Sequence, residues 1–208
     1  MNIKKPKLSN NITKNIKDSL LENEFRDALY TENITDSITI KNQTIDNCIF
    51  ENINLNNIKL DNTDLIDVVF NNCDLSNQIL DNKYINRVVF KNSKLTGTTF
   101  ITSSLKDVEF INCNLKYTNF TNTKLENIRL IDSNMNETSF IETKIKNIEL
   151  ENIDLTNAEI IKTKLNNVDL TTSNISETQF DTFSVDGIII NSFQARDLVR
   201  LLGIKIKD

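Results

Sequence analysis

An apolar residue occupies every fifth position of the chain from residue 50 to residue 190. All 29 positions in this series are apolar, starting with Phe50, Leu55 and Leu60. Neither the α-helix, with about 3.6 residues per turn, nor the β-strand, with its alternation of two, produces such a period. The pattern therefore predicts a tandem repeat of five-residue units whose central side chains share one core.

The residue two positions after each centre predicts a corner in every unit. It is Asn in 14 of the 28 units from Asn52 to Gly187, in a chain that contains 33 Asn but only 3 Gly and 1 Pro. Asn tolerates the left-handed backbone conformation that a tight turn requires. Each unit is thus expected to be a short straight side followed by a corner.

The position of Phe among the centres indicates how many sides make one coil. Phe recurs in two series with steps of twenty residues or a multiple of twenty, while the intervening centres contain none. Four units per coil, stacked with the spacing of paired strands, predict a rod of about 36 Å for residues 40–190. The expected core ladder consists of Phe50, Phe70, Phe90, Phe110, Leu115, Phe120 and Phe140.

Several units resemble the A(D/N)LXX consensus of pentapeptide-repeat proteins. Examples are Cys73-Asp74-Leu75-Ser76-Asn77 and Val168-Asp169-Leu170. The resemblance covers most of the chain and implies an all-β fold, a right-handed quadrilateral β-helix with 20 residues per coil. The handedness is implied by the resemblance alone.

The C-terminal sequence from Gly187 to Ile204 predicts a capping α-helix. Asn191 or Ser192 can cap its start, Gln194 lies at capping-box distance from Asn191, and Gly203 follows as a stop signal. An open solenoid end needs such a cap or a partner, because its strand edge and core are otherwise exposed.

The same terminus resembles that of the Qnr quinolone-resistance proteins, and residues 95–100 (LTGTTF) resemble their Gram-positive members. The resemblance implies a homodimer formed through this end, with a monomeric cap as the alternative. The residues expected at the interface or cap are Phe193, Ala195, Leu198, Val199, Leu201, Leu202 and Ile204.

The chain divides into three expected regions. Residues 1–15, with Lys4, Lys5 and Lys7, are expected to form a flexible basic arm. Residues 16–190 form the β-helix, although residues 20–49 follow the pattern only in part. They predict either imperfect first coils or a short helix around Leu20 to Leu29. Residues 191–208 form the helix and tail.

Composition argues against several classes of function. The formal charge of −5 argues against direct nucleic-acid binding, and the absence of His excludes imidazole chemistry. Cys48, Cys73 and Cys113 match no zinc or disulfide spacing, which favours reduced thiols. With no signal or membrane-spanning sequence, we expect a cytoplasmic protein that is not an enzyme, contacts no membrane and uses no cofactor, metal or small-molecule substrate.

The Qnr resemblance implies a DNA-mimicking protein that binds DNA gyrase, topoisomerase IV or both and protects them from fluoroquinolones. The unbroken register leaves no room for projecting loops, so only the loopless Gram-positive type fits. The alternatives are an interaction scaffold of the same fold and an immunity factor against a gyrase-targeting toxin. The expected topoisomerase-facing carboxylates, which could equally be ordinary solvated groups, are Glu51, Glu109, Asp132, Glu149, Glu151 and Asp169.

Overall fold

The computed structural model describes residues 1–9 and 11–204. Its helical segments are α1 (Ile16–Glu22), α2 (Ala195–Leu198) and a 3-10 turn (Val199–Leu202). Its strands are β1 (Ile12–Thr13), β2 (Phe25–Tyr30), β3 (Ile38–Lys41), β4 (Thr44–Glu51), β5 (Ile58–Asp61), β6 (Asp64–Asn71), β7 (Tyr84–Lys91), β8 (Ser104–Ile111), β9 (Lys124–Ile131), β10 (Ser139–Ile141), β11 (Lys144–Glu151), β12 (Glu159–Ile161) and β13 (Gln179–Phe180).

Successive coils pair in parallel with a register of 20 residues. In the main sheet, of order β1-β2-β4-β6-β7-β8-β9-β11, Phe50 pairs with Phe70, and Phe70 pairs with Phe90. The shorter sheets β3-β5 and β10-β12-β13 connect the coils on other sides. The prediction of a four-sided β-helix with 20 residues per coil is therefore confirmed.

The central residues of the repeats fill the interior of the rod. All 29 of the five-residue series are buried except Ile145, Val185 and Ile190, which are half-buried. The rings of Phe70 and Phe90 stack with centroids 5.1 Å apart, close to the spacing between paired strands. Every residue of the expected core ladder lies in this interior, namely Phe50, Phe70, Phe90, Phe110, Leu115, Phe120 and Phe140.

The corners adopt the left-handed conformation that the sequence predicts. Of the 28 corner positions, all but Asn57, Thr172 and Thr182 have positive φ. Their side chains also bond from coil to coil, as where the Asn72 amide donates to Asn52 Oδ1 at 2.7 Å. Asn therefore fits a corner for two reasons, because it tolerates the backbone and its amide both donates and accepts along the stack.

One side of the rod opens at a seam, which we define as the gap between β11 and residues 164–168. In the described part of the chain, the amides of Ile145, Asn147 and Leu150 have no backbone partner in the following coil. Another side of the same coils stays paired through β10, β12 and β13. The gap is a cleft of about 690 Å³ lined by Ile145, Ile148 and Asn167 among others.

A short helix closes the N-terminal end. Asn15 caps α1 by accepting from the Lys17 N–H, and the helix buries Ile16 against the first coil. The Tyr30 hydroxyl donates to Ser19 Oγ at 2.8 Å in the buried contact between them. The alternative of a helix around Leu20 to Leu29 is wrong in its bounds, because α1 ends at Glu22 and β2 (Phe25–Tyr30) begins the first coil.

Candidate interaction surfaces

The N-terminal arm, here residues 1–9, lies against the rod. It runs across successive coils of the main sheet. Its backbone N–H groups donate to corner side chains, that of Ser9 to Asn47 Oδ1 at 3.0 Å and that of Lys7 to Asp67 Oδ1 at 2.8 Å. The arm can bind here because the Asn47 amide oxygen and the Asp67 carboxylate lie one coil apart and both accept hydrogen bonds.

The surface under the arm forms a trough, which we define by Asn47, Asp67, Asp107 and Glu109. Their exposures are 8%, 5%, 2% and 1%, whereas most other corner residues are exposed. Further along, the Lys4 N–H lies 3.4 Å from Asp107 Oδ1 and the Lys5 ammonium pairs with Glu109. The arm thus follows the trough across the coils that contain residues 47 to 109.

Asp67 has the strongest polar contacts in the trough. Burial raises the pKa of its carboxyl, but hydrogen bonds from Arg87 and from the Lys7 N–H outweigh burial and hold the pKa below its ordinary value. The guanidinium of Arg87, in the next coil, donates from Nε at 2.5 Å and from Nη2 at 2.6 Å. Asp67 is therefore ionised at neutral pH and accepts from the rod and the arm together.

Sequence reasoning missed the trough, although one signal for it exists. Outward positions beside this corner carry the apolar residues Ile49, Ile66, Val69 and Val89, all half-buried. Outward positions of a solenoid normally face water, so a cluster of apolar residues there indicates a covering segment.

The predicted acidic residues do not form one uniform exposed surface. Glu109 was expected on the exposed acidic surface, but it lies beneath the arm and pairs with Lys5 and Arg129. Glu149 also pairs with Arg129, at 2.9 Å. Glu51 is half-buried and accepts from the Asn71 amide at 3.0 Å.

Three of the predicted carboxylates remain exposed on the C-terminal half of the rod. Asp132, Glu151 and Asp169 are exposed and, among the described residues, take part in no ion pair. Hydrogen bonds from the Thr171 hydroxyl and N–H hold the pKa of Asp169 below its usual value. This group is the exposed part of the predicted acidic surface.

The C-terminal helix begins with the capping box that the sequence predicts. The Asn191 N–H donates to Gln194 Oε1 at 2.9 Å, and the Gln194 N–H donates to Asn191 Oδ1 at 3.1 Å. The buried Gln194 amide also donates to the carbonyls of Leu170 and Ser173, both at 2.7 Å. Gln194 thereby anchors the helix to the last complete coil.

The residues predicted for the C-terminal interface or cap divide into two groups. Leu198 and Leu201 pack against the core, and Val199 is half-buried. Phe193 is 82% exposed, and Ala195 and Ile204 are also exposed. The side chain of Leu202 and residues 205–208 lie outside the described part of the structure. Leu198 and Leu201 of the helical segment therefore cover the core, while Phe193 before it and Ile204 after it stay exposed.

The cysteines are core residues. Cys48, Cys73 and Cys113 are buried, and burial raises their thiol pKa to about 12, 11 and 11. Such thiols stay protonated and are poor nucleophiles or metal ligands. Within residues 1–9 and 11–204, no cluster of Cys, Asp and Glu could hold a metal ion, and no helix is long and apolar enough to cross a membrane.

A comparison with known protein families agrees with the five-residue repeat. A family model described as a pentapeptide repeat region matches residues 63–130 and 103–180, more than half of the chain. The chain belongs to the pentapeptide-repeat family. No curated protein matches this family member by sequence.

Three solved structures are similar to this chain at low sequence identity. Trypsin-treated QnrB1, a plasmid-mediated fluoroquinolone resistance protein, is 20% identical over 85% of this chain and 100% of its own, with a TM-score of 0.38. HetL from the cyanobacterium Nostoc, involved in heterocyst differentiation regulation, is 12% identical over 84% of this chain and 75% of its own, with a TM-score of 0.39. Rfr23 from the cyanobacterium Cyanothece is 22% identical over 60% of this chain and 88% of its own, with a TM-score of 0.32.

Proposed function

We propose that this pentapeptide-repeat protein is a non-enzymatic homodimer that binds DNA gyrase, topoisomerase IV or both and protects them from fluoroquinolones. The observation that carries the proposal is the C-terminal end. Its Qnr-like motif folds as a capped helix that leaves Phe193, Ile189 and Ile204 exposed at 82%, 47% and 49%. Exposed apolar residues at the end of a rod are typical of a self-association surface.

The exposed carboxylates support binding to a DNA-processing enzyme. Asp132, Glu151 and Asp169 lie on the C-terminal half of the rod. A two-fold axis at the C-terminal helix places two such groups on one continuous rod. A surface with this charge complements the basic groove with which a topoisomerase holds DNA.

A supercoiling assay with purified gyrase, with and without ciprofloxacin, tests the function. We expect micromolar protein to inhibit supercoiling when the drug is absent or to restore it when the drug is present. The proposal is overturned if the protein has neither effect on gyrase and neither effect on topoisomerase IV in the matching decatenation assay. The protein would then be better described as a scaffold for other partners.

A matched pair of charge reversals tests the acidic surface. Glu151→Lys alters the exposed group near the C-terminus, and Glu24→Lys makes the same charge change at the exposed N-terminal rim. We expect Glu151→Lys to weaken topoisomerase binding in a salt-dependent manner and Glu24→Lys to leave it unchanged. Equal effects of the two variants would remove Glu151 from the binding surface.

A second matched pair tests the dimer. Phe193 and Leu21 are 82% and 85% exposed at opposite ends of the rod. Gel filtration with light scattering is expected to show a dimer for the unaltered protein and for Leu21→Asp, and a monomer for Phe193→Asp. A dimer that survives Phe193→Asp but not Leu21→Asp would move the interface to the N-terminal end.

A further inference from the structure

The trough recognises the arm mainly through its backbone. Three N–H groups, those of Lys4, Lys7 and Ser9, donate to the side chains of three corner residues, Asp107, Asp67 and Asn47. Such bonds are available from any extended chain of suitable length, as in other modes of peptide recognition by main-chain contacts. The trough therefore requires an extended backbone in its ligand and depends less on the side chains of that ligand.

Two side chains of the arm add chemical selectivity. Ile3 is the one buried arm residue, with 8% exposure. Lys5 pairs with Glu109, whose side chain is 1% exposed while that of Lys5 is 62% exposed. A ligand of the trough thus needs an apolar residue and, two positions later, a cation.

The arm is held in a way that permits exchange. Apart from Ile3, its side chains are exposed or, at Pro6, half-buried. By contrast the trough is part of the main sheet, and its corners are fixed by pairing with the coils on either side. Removal of the arm would uncover the acidic groups Asp67, Asp107 and Glu109 without breaking any strand pair.

We propose that the trough is a binding site for an extended, lysine-bearing segment of another polypeptide, and that the N-terminal arm is its intramolecular competitor. The arm shows the chemistry of the ligand directly, because its N–H groups and Lys5 complement the acceptors and carboxylates of the trough. The partner segment displaces the arm and occupies the same acceptors. The proposal does not depend on topoisomerase binding.

The experiment uses a fluorescent peptide with the sequence of residues 1–11 as the probe. It is titrated with the full chain and with a full-length variant carrying Ile3→Asp and Lys5→Glu, in which the arm no longer fits. Neither substituted residue belongs to the β-helix. We expect the variant to bind the peptide about tenfold or more tightly than the unaltered chain, because its site is vacant for a larger fraction of the time.

Two controls separate specific docking from general attraction of opposite charges. A peptide of the same composition in scrambled order keeps the charge and loses the spacing between Ile3 and Lys5. Glu109→Gln, added to the arm-weakened chain, removes the partner of Lys5. We expect both changes to weaken binding. Circular dichroism is expected to show that the Glu109→Gln chain stays folded, and gel filtration with Phe193→Asp also present is expected to show a monomer, without exchange of arms with a second copy.

The possible outcomes decide the proposal. It is overturned if the arm-weakened chain binds the peptide no better than the unaltered chain, or if the scrambled peptide binds equally well. A dimer that persists when Phe193→Asp is present would indicate exchange of arms between two copies and would also overturn it, because the natural occupant would then be this chain itself. Loss of topoisomerase binding in the supercoiling assay would leave this result unaffected.

Discussion

One corner of the rod is covered along half of its length and bare along the other half. Under the arm, Asn47 and Asp107 are 8% and 2% exposed, whereas further along the same stack Asn147 and Asn167 belong to the exposed residues. The main sheet is continuous beneath the covered half. In the bare half it ends at β11, beside the seam, where Ile145 is no longer fully buried.

The backbone of the corner does not explain this difference. The φ angle is 50° at Asn47 and 62° at Asn147, so both residues make the same left-handed turn. What differs is the outer layer, since the covered half carries apolar outward residues and a segment bound to its acceptors. The repeat thus determines how the chain coils, while residues outside the repeat pattern determine which surface is closed.

Truncation of neighbouring core residues is expected to have the largest effect. Leu125 is 2% exposed in the paired region, and Ile145, its partner one coil later, borders the seam. Leu125→Ala should lower the free energy of unfolding by about 2–5 kcal/mol, and Ile145→Ala by about half as much or less, because its site is already partly hydrated. Urea unfolding measures both, and equal losses would contradict a seam that is open in solution.

Amide hydrogen exchange gives a second view of the seam. The N–H groups of Ile145 and Leu150 lack backbone partners in the described structure, while Leu125 and Leu130 lie in the fully paired strand β9. We expect exchange at Ile145 and Leu150 to be about 100-fold faster or more, since unpaired edge amides need no unfolding to exchange. Equal protection at all four amides would mean that the seam closes in solution.

Removal of one amide from each half of the corner compares the arm contacts directly. Asn47→Ala and Asn147→Ala share the cost of Ala in a left-handed turn, about 1 kcal/mol. Asn47→Ala also removes the acceptor of the Ser9 N–H, at 3.0 Å, and should cost about 1–3 kcal/mol more. Thermal unfolding measures the difference, and identical losses would indicate an arm that contributes no stability.

Acidification should have the smallest effect. The pKa of Asp67 is held below its ordinary value in the folded protein, so its contribution to stability is present above the ordinary value of about 3.9. That contribution is lost as the pH falls from about 4 through the lowered value. Asp67→Asn should therefore flatten the stability profile below about pH 4 and leave its shape at neutral pH unchanged. If the loss of stability below about pH 4 were the same in Asp67→Asn as in the unaltered protein, Asp67 would not be the group that causes it.

Most of the fold could be predicted from the sequence because burial repeats with a fixed period. The five-residue series predicts the core, and Asn at the corners predicts the turns. The seam could not be predicted, because Leu165 and Val168 keep the same pattern as the closed coils. The capping box of Asn191 and Gln194 could be predicted because its two residues are close in sequence.

The docking of the arm could not be predicted in the same way. Lys4, Lys5 and Lys7 indicate a basic segment, and basic segments are usually solvated. The N–H groups of Lys4 and Lys7 and the Lys5 ammonium contact side chains far along the chain, at Asp107, Asp67 and Glu109. Contacts over such separations produce no pattern in the sequence of the arm. The burial of Glu109 was missed as well, because the repeat does not distinguish a covered outward position from a solvated one. Only the apolar outward residues Ile49, Ile66, Val69 and Val89 indicate a covering segment.

The separation of contacts along the chain orders the steps of folding. Each bond between coils closes a loop of about 20 residues whatever the length of the rod, so coils can be added one by one at a similar entropic cost. The contact between Lys4 and Asp107 spans 103 residues and has no counterpart until the coil containing Asp107 exists. During synthesis the arm therefore leaves the ribosome before the coils that hold it, and it reaches its final position only after the coil that contains Asp107 has formed.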